Sequence, residues 1–213
     1  MGDFQLYRDH RAIQCGRMAD FYDENAESFV AQTRDVDMAE LRGRFMAALP
    51  GRLDGPARIL DAGSGSGRDA LAFRRAGYDV SAFDASQAMV EATRAHAGVP
   101  ARWMRFEDFV WDHPFEGIWA CASLLHVADA DLAGVLDRLV AHLVRGGVLY
   151  LSFKRGEGER IKDGRRFTDM TEARLAVLLD RCAGLDPPEI WASGDRRVGR
   201  DAEIWINALV RRT

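Results

Sequence analysis

Three observations predict an α/β fold, a mostly parallel sheet of seven strands covered by helices. Short apolar runs alternate with amphipathic segments, the pattern of a sheet whose faces are buried under helices. The strand candidates Arg58–Ala62, Asp79–Phe83, Ala101–Arg105, Gly117–Ala122 and Gly147–Phe153 stand one helix or loop apart, as right-handed crossovers require. The last two, Glu189–Ala192 and Glu203–Val210, are joined by the short connection Ser193–Asp201 with no helix, so the final strand is expected to run antiparallel.

Residues 1–50 precede the first strand and are mostly helical in character, so they are predicted to form a lid over the carboxyl edge of a core spanning 57–213. Within them Tyr22, Asn25 and Phe29 share one helix face. Open α/β sheets bind ligands at that edge, which gives the lid something to cover. After the first strand a glycine-rich turn leads into a helix carrying Ala70, Leu71 and Phe73. The clearest amphipathic helix follows the fourth strand, where Leu132, Val135, Leu136, Leu139, Val140 and Leu143 recur on one face until Arg145-Gly146-Gly147 stops it. Another starts at Thr171, a plausible N-cap, and runs through Leu175, Leu178, Leu179 and Cys182 to Gly184 and Pro187-Pro188.

A chain of 213 residues, 47% apolar, closes one sizeable core, so a single domain is expected. The formal charge of −4 leaves no electrostatic footprint for a nucleic-acid backbone. Cys15, Cys121 and Cys182 are odd in number and widely spaced, which predicts ordinary buried thiols and neither a disulfide framework nor a metal site. With no signal-like apolar start and no run approaching the ~18 apolar residues of a membrane span, a cytoplasmic protein is expected.

The segment Ile59-Leu-Asp61-Ala-Gly63-Ser64-Gly65-Ser-Gly67-Arg68 is the main carrier of chemistry. Glycines let backbone approach a ligand, and the helix that follows offers unpaired N–H groups to an anion. A turn of this kind can also be merely structural. Asp84, at the end of the second strand, can accept both hydroxyls of a ribose, or serve only in a local turn before Ser86, a candidate cap for the next helix. Together they favour a nucleoside ligand. The loop reads GxGxG, not GxGxxG, and Asp61 stands two residues before the first glycine, which favours S-adenosylmethionine over a dinucleotide. Tyr150 and Lys154 match the YxxxK spacing of short-chain dehydrogenases, but they sit on a predicted strand. Residues four apart on a strand stand about 13 Å apart, so that reading fails.

On these motifs, joined by Phe115–Ala122 and Arg145-Gly-Gly-Val-Leu149, the chain from about Phe21 to Val210 resembles the small bacterial class I S-adenosylmethionine-dependent methyltransferases, some labelled as tellurite-resistance proteins. The resemblance implies a Rossmann-like, doubly wound sheet. It also implies that Gly63 and Gly65 line the methionine half of the cofactor, that Arg68 meets its carboxylate, and that Asp84 holds the ribose. Ala85 and Met89 would lie against the adenine, Phe106 and Glu107 at its edge, and Ala122 and Leu124 under the sulfonium. Ser64 replaces the family's usual cysteine, and Arg105 stands where an adenine-binding carboxylate is common, leaving the amino-group acceptor open between Glu107 and Asp108.

Methyl transfer needs in-line approach and exclusion of water more than it needs acid or base. If a proton must leave the nucleophile, His126 is the first candidate, following the fourth strand near the expected methyl group, and Tyr22 the second. Their bland readings are a histidine that caps or packs and a tyrosine that packs the lid. Phe29 would share the substrate side of that lid. The basic segment from Lys154-Arg155 through Arg165, Arg166 and Phe167 leaves the carboxyl end of the fifth strand, where loops shape a substrate cavity, and could draw in an anion or simply be solvated. Most of the five tryptophans fall in predicted strands, which argues against an aromatic cage. A small-molecule methyltransferase is therefore the leading reading, acting on O, N, S or a metalloid centre. The alternative is a protein that binds the cofactor as a sensor or assembly factor. A nucleic-acid or protein methyltransferase would need a target-recognition region for which the chain has little room.

Overall fold

The structure is a computed structural model and describes residues 20–51, 54–200 and 202–213. Cys15, the first part of the expected lid and Asp201 lie outside them. Among the described residues, helical residues 20–24, α1 (Ala26–Thr33) and α2 (Ala39–Ala48) precede β1 (Arg58–Ala62), α3 (Arg68–Arg75), β2 (Asp79–Asp84) and α4 (Gln87–Ala97). Then come β3 (Ala101–Trp103), β4 (Phe115–Ala120), α5 (Asp129–Ala141) and β5 (Leu143–Lys154), with single 3-10 turns at Phe106–Asp108 and Leu124–His126. A hairpin, β6 (Gly158–Lys162) and β7 (Arg165–Asp169), is followed by α6 (Glu172–Asp180), β8 (Glu189–Gly194) and β9 (Ile204–Arg211).

The main sheet has seven strands in the order β3-β2-β1-β4-β5-β9-β8. The first five pair in parallel, and β9 runs antiparallel to both β5 and β8, as the short final connection requires. This is the Rossmann-like, doubly wound arrangement expected. The chain winds outward from β1 to β3 and then returns to β4, so strand order reverses between β1 and β4. A crevice opens at their carboxyl ends, where such sheets bind ligands.

Strand alternation divides the core in two. Leu60, Ile118 and Leu149 face a cluster with Leu132, Val135, Leu136 and Leu139 of α5 and Leu175 and Leu179 of α6. Their neighbours Ile59, Trp119 and Tyr150 face the opposite cluster with Phe73 of α3 and Val90 of α4. Each fully buried side chain of this size contributes on the order of 1.5–3 kcal/mol. Trp119 and Tyr150 are partners in register and stack with centroids 3.9 Å apart. Two caps read from the sequence are formed: Ser86 accepts from the Met89 N–H and Thr171 from the Arg174 N–H.

Several expectations are corrected. The lid expected over residues 1–50 is more than a cover: α2, whose Leu41 lines the cleft at the carboxyl edge, also inserts Leu41 and Phe45 into the core, with Phe45 at 5.2 Å from Trp119 and 5.5 Å from Phe73. A Cβ on Gly117 would stand 2.5 Å from the Phe45 ring, so that glycine makes room for the helix. Leu143 belongs to β5 and not to the preceding helix, because α5 stops at Ala141 and the chain turns directly into the sheet. The fourth strand ends at Ala120, since Ala122 takes a left-handed conformation (φ 53°). The basic segment after β5 is a hairpin, not a loop. Asp163 (φ 51°) and Gly164 (φ 73°) form its two-residue turn, the geometry whose twist matches paired strands. Among the described residues no helix is long and apolar enough to cross a membrane.

Candidate active site

The turn after β1 is held from both sides. The N–H groups of Gly63 and Ser64 donate to the Phe83 carbonyl at 2.9 and 3.1 Å, closing the loop over the end of β2. Gly63, Gly65 and Gly67 all have positive φ, at 77°, 52° and 74°. At Gly63 the need for glycine is also steric, because a Cβ would stand 2.4 Å from that of Ser123. The Ser123 hydroxyl donates to the Ala62 carbonyl at 2.7 Å, tying the ends of β1 and β4 together.

Asp84 faces this loop from β2. Its Oδ2 accepts from the Gly65 N–H at 2.9 Å and its Oδ1 from the Ser86 N–H at 3.0 Å. Burial raises its pKa, and those N–H groups offset part of the rise. Each oxygen retains a lone pair for a further donor. In front of it lies a cleft of about 660 Å³. Ala85, Met89, Phe106 and Glu107 line it together with Gly63, Gly65 and Ala122. These are seven of the residues the resemblance assigns to a cofactor, brought together from four strand ends.

A second, larger cleft of about 1760 Å³ adjoins the first, and Tyr22, Phe29, Gly63, Gly65, Ala122 and His126 line both. Ser64, Arg68 and Asp61 line the second. Asp61 accepts from the Ala70 N–H at 3.0 Å, anchoring the start of α3. Burial and then neighbouring Asp69 push its carboxyl well above the usual range. Asp69 is held by Arg68 (2.6 Å), Arg42 (2.7 Å) and the Trp119 indole N–H (3.0 Å). Burial pushes its pKa up, but the two guanidinium groups outweigh it and leave the carboxyl ionised below the usual range. Arg68 is thus fixed with its charge beside the glycine loop.

Tyr22 and His126, the two candidate proton carriers, meet directly. The His126 Nδ1 lies 2.8 Å from the Arg166 carbonyl, which can only accept, so Nδ1 carries the proton. Nε2 then accepts from the Tyr22 hydroxyl at 2.8 Å. Burial lowers the His126 pKa to about 4, with Arg165 and Lys154 adding to the effect, so the imidazole is neutral near pH 7. Burial raises that of Tyr22. Phe29 packs on Tyr22 with centroids 5.0 Å apart. The first helical face read from the sequence therefore sits over both clefts.

Two expected residues lie elsewhere. Leu124 is wholly buried in the core and lines neither cleft, because the 3-10 turn directs it inward. Arg155 is half exposed and pairs with Glu172 at 3.4 Å, outside both clefts. Lys154 lines the second cleft and is ion-paired with Glu203. The tryptophans do not converge: Trp103 is exposed, Trp111 and Trp119 are core, and of the five only Trp205 lines the second cleft. Cys121 also lines it, but burial pushes its thiol up to about 12, which makes it inert.

Residues 59–147 match the protein family described as "Methyltransferase domain". Over that stretch the chain is similar to methyltransferase domains. That match runs from the glycine loop to the turn inside β5 and agrees with the expectation of an enzyme. The fold agrees. The 1,6-didemethyltoxoflavin-N1-methyltransferase of Burkholderia thailandensis, crystallised with 1,6-didemethyltoxoflavin and S-adenosylhomocysteine, is 22% identical with a TM-score of 0.74. The alignment covers 96% of this chain and 90% of that one. The CcbJ methyltransferase of Streptomyces caelestis is 15% identical over 92% of this chain and 99% of its own, with a TM-score of 0.68. The magnesium protoporphyrin IX methyltransferase of Synechocystis PCC 6803, with bound S-adenosylhomocysteine, is 16% identical over 90% and 84%, with a TM-score of 0.61. No curated protein matches the chain.

Sequence reasoning missed several residues of this candidate site. Asp23 accepts from the Ser86 hydroxyl at 2.5 Å and the Ala88 N–H at 3.0 Å, so the segment bearing Tyr22 is tied to the start of α4. The Ser64 hydroxyl pairs with that of Thr93 at 2.8 Å, and Thr93 in turn donates to the Gly65 carbonyl at 3.1 Å. None of these partners is near in sequence. The sequence signal for the hairpin that supplies the Arg166 carbonyl is the turn pair Asp163-Gly164.

Proposed function

We propose that the protein transfers a methyl group from S-adenosylmethionine to a small organic acceptor. The observation that carries this reading is the junction of the two clefts. A glycine-lined cradle with Asp84 at one end opens, at Tyr22 and His126, into a second and larger chamber walled by different side chains.

The residues present suit the cofactor. The Asp84 carboxylate would accept the ribose hydroxyls, with Ala85, Met89, Phe106 and Glu107 around the adenine. Gly63, Ser64 and Gly65 would line the methionine half, with Arg68 and the first turn of α3 toward its carboxylate and Asp61 bracing that turn. When bound, S-adenosylmethionine supplies an electrophilic methyl on a sulfonium. Ala122, at the shared wall, would then border the reacting centre. Tyr22 and Phe29 close the chamber against water and orient the acceptor. The His126 lone pair takes the acceptor's proton, directly or as Tyr22 passes its own to Nε2, while the Arg166 carbonyl holds the imidazole in the required tautomer.

The acceptor chamber is walled by Phe21, Tyr22, Phe29, Phe167 and Trp205, which supports an organic acceptor. Neither the matched family nor the compared structures carries a tellurite connection, so the metalloid acceptor has no support beyond resemblance.

Calorimetry with S-adenosylhomocysteine tests the reading. Wild type is expected to bind. Asp84→Ala removes a charged hydrogen-bond acceptor worth about 1.5–3 kcal/mol, so affinity should fall by roughly tenfold to a hundredfold. No binding by wild type refutes the proposal.

A further inference from the structure

We infer that the acceptor is a flat molecule bearing a carboxylate, and that Arg165, at the start of β7, is the residue that receives this group. The inference rests on the methyltransferase reading above and adds the acceptor's chemical class.

Basic side chains outnumber acidic ones around the second cleft. Most of them are already committed: Arg68 to Asp69, Lys154 and Arg200 to Glu203, Arg196 to Glu40, and Arg197 to Asp195. Arg165 differs. Its guanidinium hydrogen-bonds the Tyr22 hydroxyl, and its nearest carboxylate partner among the described residues is Asp163 at 3.8 Å, whose side chain is 62% exposed. Its Nε is buried with no hydrogen-bond partner. A buried guanidinium N–H left unmet is costly, and because Arg165 lines the second cleft a small turn of its side chain would bring that N–H to an anion held there. The other buried unmet nitrogen, Nε of Arg58, lies at the amino end of β1 beside Glu116 (3.6 Å), and Arg58 lines neither cleft.

The surroundings hold the Arg165 guanidinium in place and keep it near the chemistry. Its Cζ sits 4.1 Å from the Phe21 ring centroid, 5.3 Å from that of Phe167 and 5.9 Å from that of Tyr22. Ring contact on this side fixes a planar fork that can meet a carboxylate with two parallel N–H groups. The next residue, Arg166, supplies the carbonyl that orients His126. One turn of hairpin therefore carries both the proposed anchor and the support of the proposed base. An acceptor with its carboxylate on Arg165 would lie along the wall of Phe21, Tyr22 and Phe167, which selects a flat body. A base as weak as His126 also suits a hydroxyl acidified by an aromatic ring.

The test measures binding of salicylate and gallate, against their neutral counterparts salicylamide and gallamide, to protein saturated with S-adenosylhomocysteine. With wild type each acid should bind about tenfold or more tightly than its amide, the effect of one charged hydrogen-bonded contact. Arg165→Gln should bring that ratio to about one while leaving S-adenosylhomocysteine affinity within about twofold. Arg155→Gln removes the same charge outside the clefts and should leave the ratio as in wild type. Equal binding of acids and amides to wild type, no saturable binding of either acid, or equal effects of the two substitutions overturns the inference. Failure of wild type to bind S-adenosylhomocysteine instead overturns the methyltransferase reading.

Discussion

Acidification should destabilise the protein through His126. In the folded state its imidazole is held neutral to about 4, against 6.5 for an ordinary histidine, chiefly by burial and further by the charges of Arg165 and Lys154. Between those two values the unfolded chain binds a proton that the folded chain does not, so stability falls as pH falls through that window and is fully retained above it. At about 1.4 kcal/mol per pH unit, with allowance for partial exposure, full protonation removes about 2–3 kcal/mol. That is a large share of the 5–15 kcal/mol typical of a domain. Urea unfolding of wild type and His126→Gln near neutral pH and near pH 4 isolates the effect, because carboxylates titrate in both proteins and cancel in the comparison. Wild type is expected to lose about 2–3 kcal/mol more than the variant over this range. Parallel losses, or an imidazole resonance titrating near its ordinary value, would refute the reasoning and with it the neutral tautomer proposed for catalysis.

Two further outcomes are expected. Gly63→Ala forces a Cβ to 2.4 Å from that of Ser123 at φ 77°, so thermal unfolding should report a loss of about 2–4 kcal/mol and calorimetry a weaker cofactor site. Thr171→Ala removes the side chain that caps α6, which should cost about 1 kcal/mol in denaturant unfolding without changing S-adenosylhomocysteine affinity.

What could be read in the sequence was what local chemistry determines. The run Ile59–Ala62 followed by glycines needs no distant partner to be recognised as a strand entering a tight turn, and Ser86 and Thr171 cap helices that begin beside them. Boundaries failed where a distant contact decides. Leu143 continues the helical spacing of α5, yet it pairs with Phe115 as the first residue of β5. The helix α2, AELRGRFMAA, buries only Leu41 and Phe45, so its sequence shows too narrow an apolar stripe to tell a core helix from a lid. The β6–β7 hairpin was obscured by its charge: four of its five β6 residues are polar or glycine, and only the Asp163-Gly164 pair distinguishes it from a solvated loop.

The two halves of the site differ in the same way. The cradle that suits the cofactor is built from backbone geometry at strand ends, so its parts appear as a motif within one short stretch and a single aspartate on the next strand. The acceptor side is assembled from side chains 104 residues apart, as with Tyr22 and His126, and from a hairpin carbonyl 40 residues beyond that histidine. No spacing rule links them. Contacts of this kind are free to change without disturbing the cradle, since neither the loop after β1 nor Asp84 depends on the hairpin for a hydrogen bond. On the proposed function, specificity for the acceptor would be carried by the two elements packed over the edge of the sheet, the Tyr22 segment and the β6–β7 hairpin, which is why Arg165 and not the glycine loop is the residue whose replacement should alter what is methylated.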